Sequence, residues 1–321
     1  MKILVVGLGL IGGSLCKALK KYTSHFVAGC DINHDIEFSA LRDVAIDEEF
    51  NGNFSGFDLV IVSLFPEASE KYMLENAHKF SKGTLVTDVC GIKGSFSSRM
   101  NKIAKENGLY YLGMHPMAGK EFGGYHNSSA DLFQNANFII TPSENSRTED
   151  FETLANLVKE IGAGKIVNTS PENHDRMIAY TSQLAHIVSS AYVKSPQLDL
   201  ECGFSGGSFQ DMTRIATMNE KMWTDLFMQN KEHLIFELEL LIENLGKEVE
   251  IYLCTPYAFK NLPKELGCTD FLVASIHRRA LTKKRLLKGG AKLVYDLSDI
   301  LKNPVQGYEG YNSEYGCYGT N

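Results

Sequence analysis

A doubly wound α/β domain with a mostly parallel sheet, followed by an all-α domain, is the architecture this sequence predicts. Three observations carry it. A β-branched run from Ile3 ends in spaced glycines, ILVVGLGLIGG; short apolar runs then alternate with helical patterns to about residue 165; and from Ser170 onward the patterns are helical. The division expected is 1–168 and 169–321, each part long enough to bury a core of its own.

The opening MKILVVGLGLIGGSL has two readings. A lysine before an apolar stretch can start a secretory signal, which needs a helical apolar region and a small-residue cleavage site. Here Ile3, Leu4, Val5 and Val6 stop abruptly at Gly7, Gly9 and Gly12, and Leu15, Ala18 and Leu19 then recur at helical spacing. Glycines in the GxGxxG phase make a poor signal helix and a good phosphate turn. The first permits the bend, the second lets backbone approach a pyrophosphate, and the third lets helix pack on strand. The expected cofactor contacts are Gly7, Gly9, Leu10, Ile11 and Gly12, with Ser63 and Asp88 from later strand ends.

The motif alone is weak, and its context strengthens it. A second strand, HFVAGCD, ends in Asp31, nineteen residues after Gly12, where a carboxylate would accept hydrogen bonds from the ribose hydroxyls and repel a 2′-phosphate. No Arg or Lys follows within several positions, so NAD is favoured over NADP in a Rossmann domain. FDLVIVSL (57–64) and GTLVTDV (83–89) read as buried parallel strands joined by a helical crossover in LENAHKF, and LYYLGMHP and NFIITP continue the series. Ligands of such sheets lie beyond the carboxyl ends of the strands, which points to residues 88–91 and to the segment after Gly113.

In the second half, SPENHD has the form of a helix start, with Ser170 as cap, Pro171 in the first turn and Glu172 beside the positive end. The run from Glu172 to Val193 has no Gly or Pro. GFSGGSFQDMTRIA supplies a break and a short helix, and a long helix is expected from Asn219 to about Leu245 with one broad apolar face. Beyond it, helices are expected around 275–302, and the tail GYEGYNSEYGCYGTN is too rich in Gly, Tyr and Asn to order readily.

Composition narrows the function. Hydrophobic content of 44% and charged content of 22% are those of a soluble globular protein, and no window approaches the roughly 18 apolar residues of a membrane span. Seven scattered cysteines without a CxxC argue against a disulfide framework or a zinc site and fit a reducing cytoplasm. Net charge is 32 − 39 = −7 with no long basic run, so nucleic acid is not an expected partner, and an anionic substrate needs local cations.

Four further patterns could carry chemistry: TDVCGIKG (87–94), HPMAGKEFGG (115–124), NHDRMIAYTSQLAH (173–186) and GGSFQDMTR (206–214). His115 follows a strand and precedes Pro116, so its imidazole could accept a hydroxyl proton while hydride leaves, although a lone His is more often merely satisfied by backbone. Asp211 and Arg214 share a face of a short helix, either as a surface ion pair or as a carboxylate orienting a guanidinium toward a substrate carboxylate. His174, Asp175, Thr181, Gln183 and His186 are polar groups on an apolar helix, without the spacing of a metal site, and hydrogen bonding inside a cleft suits them. Thr181 is expected to bond back to its own helix.

GLGLIGGS, TDVCGIKG, HPMAGKE, NHD and GGSFQDMTRIA together resemble, in order and approximate spacing over residues 1–245, the prephenate dehydrogenase family of tyrosine biosynthesis. The resemblance implies a Rossmann domain binding NAD or NADP and a helical domain carrying substrate contacts and a homodimer interface. It implies that His115 is the catalytic acceptor for the ring hydroxyl and that Arg214 binds a substrate carboxylate. Glu121 would stand in the polar wall of the cleft, and His174 and Asp175 would support the site. Prephenate would lose hydride to the nicotinamide and then carbon dioxide, giving 4-hydroxyphenylpyruvate, or tyrosine if arogenate were the substrate.

Two departures bear on this. Gly91 stands where many members carry Ser, and Gln183 where many prephenate-specific members carry His; the Gln183 amide could satisfy either a keto or an amino side chain, leaving substrate choice open. An appended regulatory module for tyrosine feedback is not expected. A 3-hydroxyacid dehydrogenase, which would use a lysine in the helical domain, and a non-catalytic NAD sensor remain as competing readings.

Overall fold

The computed structural model describes residues 1–246 together with 270–273 and 293–296. Eight strands form one sheet: β1 (Lys2–Val6), β2 (Phe26–Cys30), β3 (Glu48–Glu49), β4 (Leu59–Val62), β5 (Leu85–Asp88), β6 (Tyr110–Pro116), β7 (Phe138–Pro142) and β8 (Ile166–Asn168), in the spatial order β3-β2-β1-β4-β5-β6-β7-β8. Strand order reverses between β1 and β4, and the crevice at that switch point is where such sheets take their ligands. Helices α1 (Leu10–Tyr22), α2 (His34–Arg42), α3 (Pro66–Asn76), α4 (Gly94–Glu106) and α5 (Thr148–Glu160) cover the sheet.

Both faces of the sheet are apolar. Along β1, Ile3 and Val5 pack with Leu15 and Leu19 of α1 and with Leu154 and Val158 of α5, while Leu4 and Val6 pack on the other side with Phe96 and Met100 of α4. Such side chains, near zero exposure, each contribute roughly 1.5–3 kcal/mol on burial.

Three expectations are corrected. NFIITP does not continue the parallel series: β7 runs antiparallel to β6, with His115 opposite Ile139. The connection between them contains only a 3₁₀ turn, Tyr125–Asn127, and without a crossover helix the chain doubles back. The helix before β5 begins at Pro66, with proline in its first turn, and the LENAHKF segment holds its end and a 3₁₀ turn, Ala77–Lys79. The helix expected from Asn219 to Leu245 is two, α9 (Glu220–Gln229) and α10 (Lys231–Gly246), because Asn230 leaves helical geometry (φ −120°) and spends its amide elsewhere.

The run after Ser170 is helical throughout, as α6 (Pro171–Ile178), a π-helical turn (Ala179–Gln183) and α7 (Leu184–Tyr192). Ser170 caps it by accepting from the Asn173 N–H. The glycine-rich stretch yields α8 (Gly207–Arg214), seated on α7 where the Ser189 hydroxyl donates to the Met212 carbonyl at 2.6 Å. The chain separates into two compact units, Met1–Leu238 and Glu239–Asn321. In the second, β9 (Asp270–Val273) pairs in parallel with β10 (Leu293–Asp296), so a strand stands within the stretch where helices were expected. The rest of 275–302 and the C-terminal tail lie outside the described residues.

Among the described residues, no helix is long and apolar enough to cross a membrane, and no cluster of three His, Cys, Asp or Glu could hold a metal ion.

Candidate functional site

The glycine turn has the geometry that a pyrophosphate needs. Gly7 sits at φ +88°, donates its N–H to the Cys30 carbonyl at 2.7 Å, and would drive a Cβ to 2.5 Å from the Ser63 carbonyl oxygen. A Cβ on Gly12 would lie 1.9 Å from the Gly7 carbonyl oxygen, whereas one on Gly9 meets nothing within 4 Å. The turn is thus packed tight beneath and open above. Gly9 caps α1, whose first turn carries no acid, and the N–H groups of Leu10, Ile11 and Gly12 begin a helix with its positive end toward that opening. Gly12→Ala is expected to abolish dinucleotide binding, because the clash is with backbone that cannot step aside. Calorimetric titration checks this, and wild-type affinity would refute it.

Asp31 braces the turn. Its Oδ2 accepts the Leu8 N–H at 2.7 Å and its Oδ1 the Asn33 N–H at 3.0 Å, leaving each oxygen a further acceptor direction for a ribose hydroxyl. Buried Glu37 takes the Asp31 N–H at 2.9 Å, so a second carboxylate stands beside the first. Ser63, half-buried, donates its N–H to Val6 at 2.7 Å and closes the other side of the crevice.

Asp88 is not in the crevice wall. It is fully buried, its Oδ1 taken by the Lys93 ammonium at 2.6 Å and the Cys90 N–H at 2.7 Å, and its Oδ2 by the Tyr111 hydroxyl at 2.6 Å. With both oxygens so committed, it shapes the strand end from below instead of meeting a cofactor. Lys93, equally buried, also donates to the Cys90 carbonyl at 2.8 Å. Burial pushes the Cys90 thiol well above its ordinary value, with Asp88 adding to the effect, which makes it a packing group and not a nucleophile.

His115 ends β6 beside Gly91, which follows β5. Its Nδ1 lies 2.9 Å from Nε2 of His174 on α6, and His174 Nδ1 lies 2.7 Å from Asp175 Oδ1. The same Asp175 oxygen accepts the Lys93 backbone N–H at 2.7 Å. One chain of groups therefore runs from the helical segment to the sheet edge. Burial, then His174 and the Lys93 charge, hold the His115 imidazole well below its usual range. His174 is lowered too, chiefly by burial, against a smaller opposing effect of Asp175. Neutral imidazoles follow at neutral pH. A Cβ on Gly91 would stand 3.8 Å from His115 Nε2 and from Leu226 of α9, ordinary van der Waals distance, so the position has room for a side chain.

Gln183 is corrected. It is 1% exposed, with Oε1 accepting from the Asn230 amide at 2.8 Å and Nε2 donating to the Leu226 carbonyl at 3.2 Å. Its amide joins helices and does not face a ligand. Asn230 also donates to the Asp175 carbonyl at 2.9 Å and so ties the α9–α10 break to the helix holding His174. Thr181 bonds back to the Met177 carbonyl at 2.8 Å, and His186 stacks on Trp223 with centroids 3.9 Å apart.

Arg214, the last residue of α8, is exposed, and Asp211 forms no ion pair with it among the described residues. Glu121 is exposed in the loop after β6, and no described contact draws it to His115. Lys93 and Asn230 are the residues that sequence reasoning missed. Lys93 belongs to TDVCGIKG, five residues after Asp88, a spacing that carries no sign of burial; Asn230 carries no signal beyond being an Asn within a helical pattern.

A dinucleotide turn at the switch point of a doubly wound sheet, with a neutral imidazole at the carboxyl end of another parallel strand of the same sheet, is the arrangement of a nucleotide-dependent oxidoreductase. Residues 15–167 match the family profile described as prephenate dehydrogenase, nucleotide-binding domain, and residues 170–251 that described as prephenate dehydrogenase, dimerization domain. The chain belongs to the prephenate dehydrogenase family. It is 31% identical over 255 residues to the prephenate dehydrogenase of Bacillus subtilis (strain 168), covering 76% of this chain and 68% of that one. Prephenate dehydrogenase from Aquifex aeolicus, solved with hydroxyphenyl propionate and NAD+, matches with a TM-score of 0.69 at 28% identity, over 77% of this chain and 88% of that chain. Synechocystis arogenate dehydrogenase matches with a TM-score of 0.68 at 25% identity, over 76% and 89%.

Proposed function

We propose that this chain catalyses the NAD-dependent oxidative decarboxylation of prephenate to 4-hydroxyphenylpyruvate, with His115 as proton acceptor and Arg214 as the substrate-carboxylate anchor. The observation that carries the reading is the neutral, chain-linked imidazole of His115 at the sheet edge that also carries the glycine turn. The open space over Gly9 fits a pyrophosphate, and the paired carboxylates of Asp31 and Glu37 oppose a 2′-phosphate, which favours NAD over NADP. When bound, the nicotinamide accepts hydride from the carbinol carbon.

His115 draws off the hydroxyl proton as hydride leaves. The ring carboxylate then departs as carbon dioxide, its bonding electrons aromatise the ring, and the proton returns from His115 to the ring oxygen as the phenol. Burial and the Lys93 charge keep His115 able to accept that proton below its ordinary titration range. In the same proposal the functional division falls at 168/169, a homodimer forms through the helical part, and the enzyme acts in the cytoplasm. Arg214→Ala is expected to raise the Michaelis constant for prephenate about tenfold or more with a smaller change in kcat. Steady-state kinetics check it, and an unchanged constant would remove Arg214 from the site.

Arogenate is the second reading, favoured by the match to the Synechocystis arogenate dehydrogenase at nearly the same TM-score. With Gln183 committed inside the helices, the residue that left the choice open does not decide it. Initial rates of NADH formation with prephenate and with arogenate test the assignment; faster turnover of arogenate would reverse it.

A further inference from the structure

We propose that Asp175 is a positioning residue that, acting through His174, fixes the direction of every hydrogen in a two-imidazole chain and leaves Nε2 of His115 as the acceptor. The proposal rests on the reading of His115 as the group that takes the substrate proton. Its logic is a count of donors and acceptors. A carboxylate can only accept, so the hydrogen between Asp175 Oδ1 and His174 Nδ1, 2.7 Å apart, belongs to the imidazole. A neutral His174 then has a bare Nε2, which can only accept. The hydrogen in the 2.9 Å contact therefore sits on His115 Nδ1. A neutral His115 is left with a bare Nε2, which has no hydrogen-bond partner among the described residues and faces the open position at Gly91.

What makes Asp175 a firm end to this chain is its seat at the start of α4. Its Oδ1 takes the Lys93 N–H at 2.7 Å, and its Oδ2 stands 2.7 Å from where a Cβ on Gly94 would be, so only glycine admits it there. The first turn of α4 holds no acid of its own, and Asp175 supplies that negative charge from another helix. Its carbonyl is held by Asn230, which in turn meets His233 at 2.9 Å. The other charged groups packed around the chain are Lys93 and Asp88, paired with each other. Among the described residues, the His174 ring has no other hydrogen-bond partner that would impose the opposite direction.

The test is direct. In the ¹⁵N-imidazole-labelled full chain at neutral pH, both His115 and His174 are expected to show a protonated Nδ1 and a bare Nε2. In Asp175→Ala, which removes the acceptor, the His115 signature should become mixed and kcat should fall by roughly 10²-fold, with the Michaelis constant for prephenate and the dissociation constant for NAD within about twofold of wild type. Asp175→Glu, which keeps an acceptor, should recover part of the loss. A protonated Nε2 on wild-type His115, or wild-type kcat in Asp175→Ala, would overturn the proposal. So would a variant in which kcat and the melting temperature fall while the Michaelis and dissociation constants both rise, since that is what loss of the α4 anchor alone would do. If His115→Asn itself turns over normally, the reading of His115 fails, and this outcome is distinct from each of those.

Discussion

Replacing His115 by Asn is expected to lower kcat by roughly 10²–10⁴-fold, the usual contribution of a positioned general base, while NAD affinity stays near wild type. The separation of effects follows from the fold: the glycine turn and Asp31 are built on β1 and β2, and His115 on β6, so the substitution leaves the dinucleotide crevice intact. The pH profile carries the same information. Because burial and neighbouring charge depress the His115 titration from its ordinary 6.5, the acid limb of kcat/KM should fall below that pH. Stability has the same sign. As pH drops through 6.5 the unfolded chain takes up protons that folded His115 and His174 do not, so unfolding becomes easier until the native imidazoles titrate as well. An acid limb above 6.5, or an Asn variant with undiminished turnover, would remove His115 from the mechanism.

Lys93→Met should destabilise the fold by about 3–5 kcal/mol, because it leaves the Asp88 carboxylate, at zero exposure, without its cation. The double variant Lys93→Met/Asp88→Asn should recover most of that loss, since the amide oxygen can accept from the Cys90 N–H while the amide NH2, in the place of Oδ2, donates to the Tyr111 hydroxyl oxygen. It should also move the acid limb of kcat/KM upward, as the like charge that depresses His115 is gone. Denaturant midpoints measure the first effect and pH profiles the second. If the single and double variants lose equal stability, the pair is not the source of the penalty.

Much of the fold is legible in the residues. The run Ile3–Val6 and the spacing of Gly7, Gly9 and Gly12 allow one local structure, and the Cβ distances at Gly7 and Gly12 show why. Ser170 and Pro171 begin a helix because their chemistry is local: a hydroxyl reaches an N–H three residues on, and proline forgoes one it would not use. The antiparallel β7 was not legible, because NFIITP has the same apolar character in either direction; the missing crossover helix decided it. The roles of Asn230 and Gln183 are illegible for a related reason. Amides have donors and acceptors in every direction, and periodicity does not say whether their partner is a ligand or another helix.

By itself the sequence determined the strand, turn and helix that form a dinucleotide site, and the presence of a histidine at the end of the sixth strand, since those depend on bonds between residues near one another in the chain. Only the tertiary structure decided what that histidine touches. The approach of α6 to β6 and to the start of α4 joins residues 82 apart in the chain, Lys93 and Asp175, and seats His174 between Asp175 and His115. Hydrogen direction along such a chain depends on which acceptor closes it, and that is a property of packed groups, not of spacing.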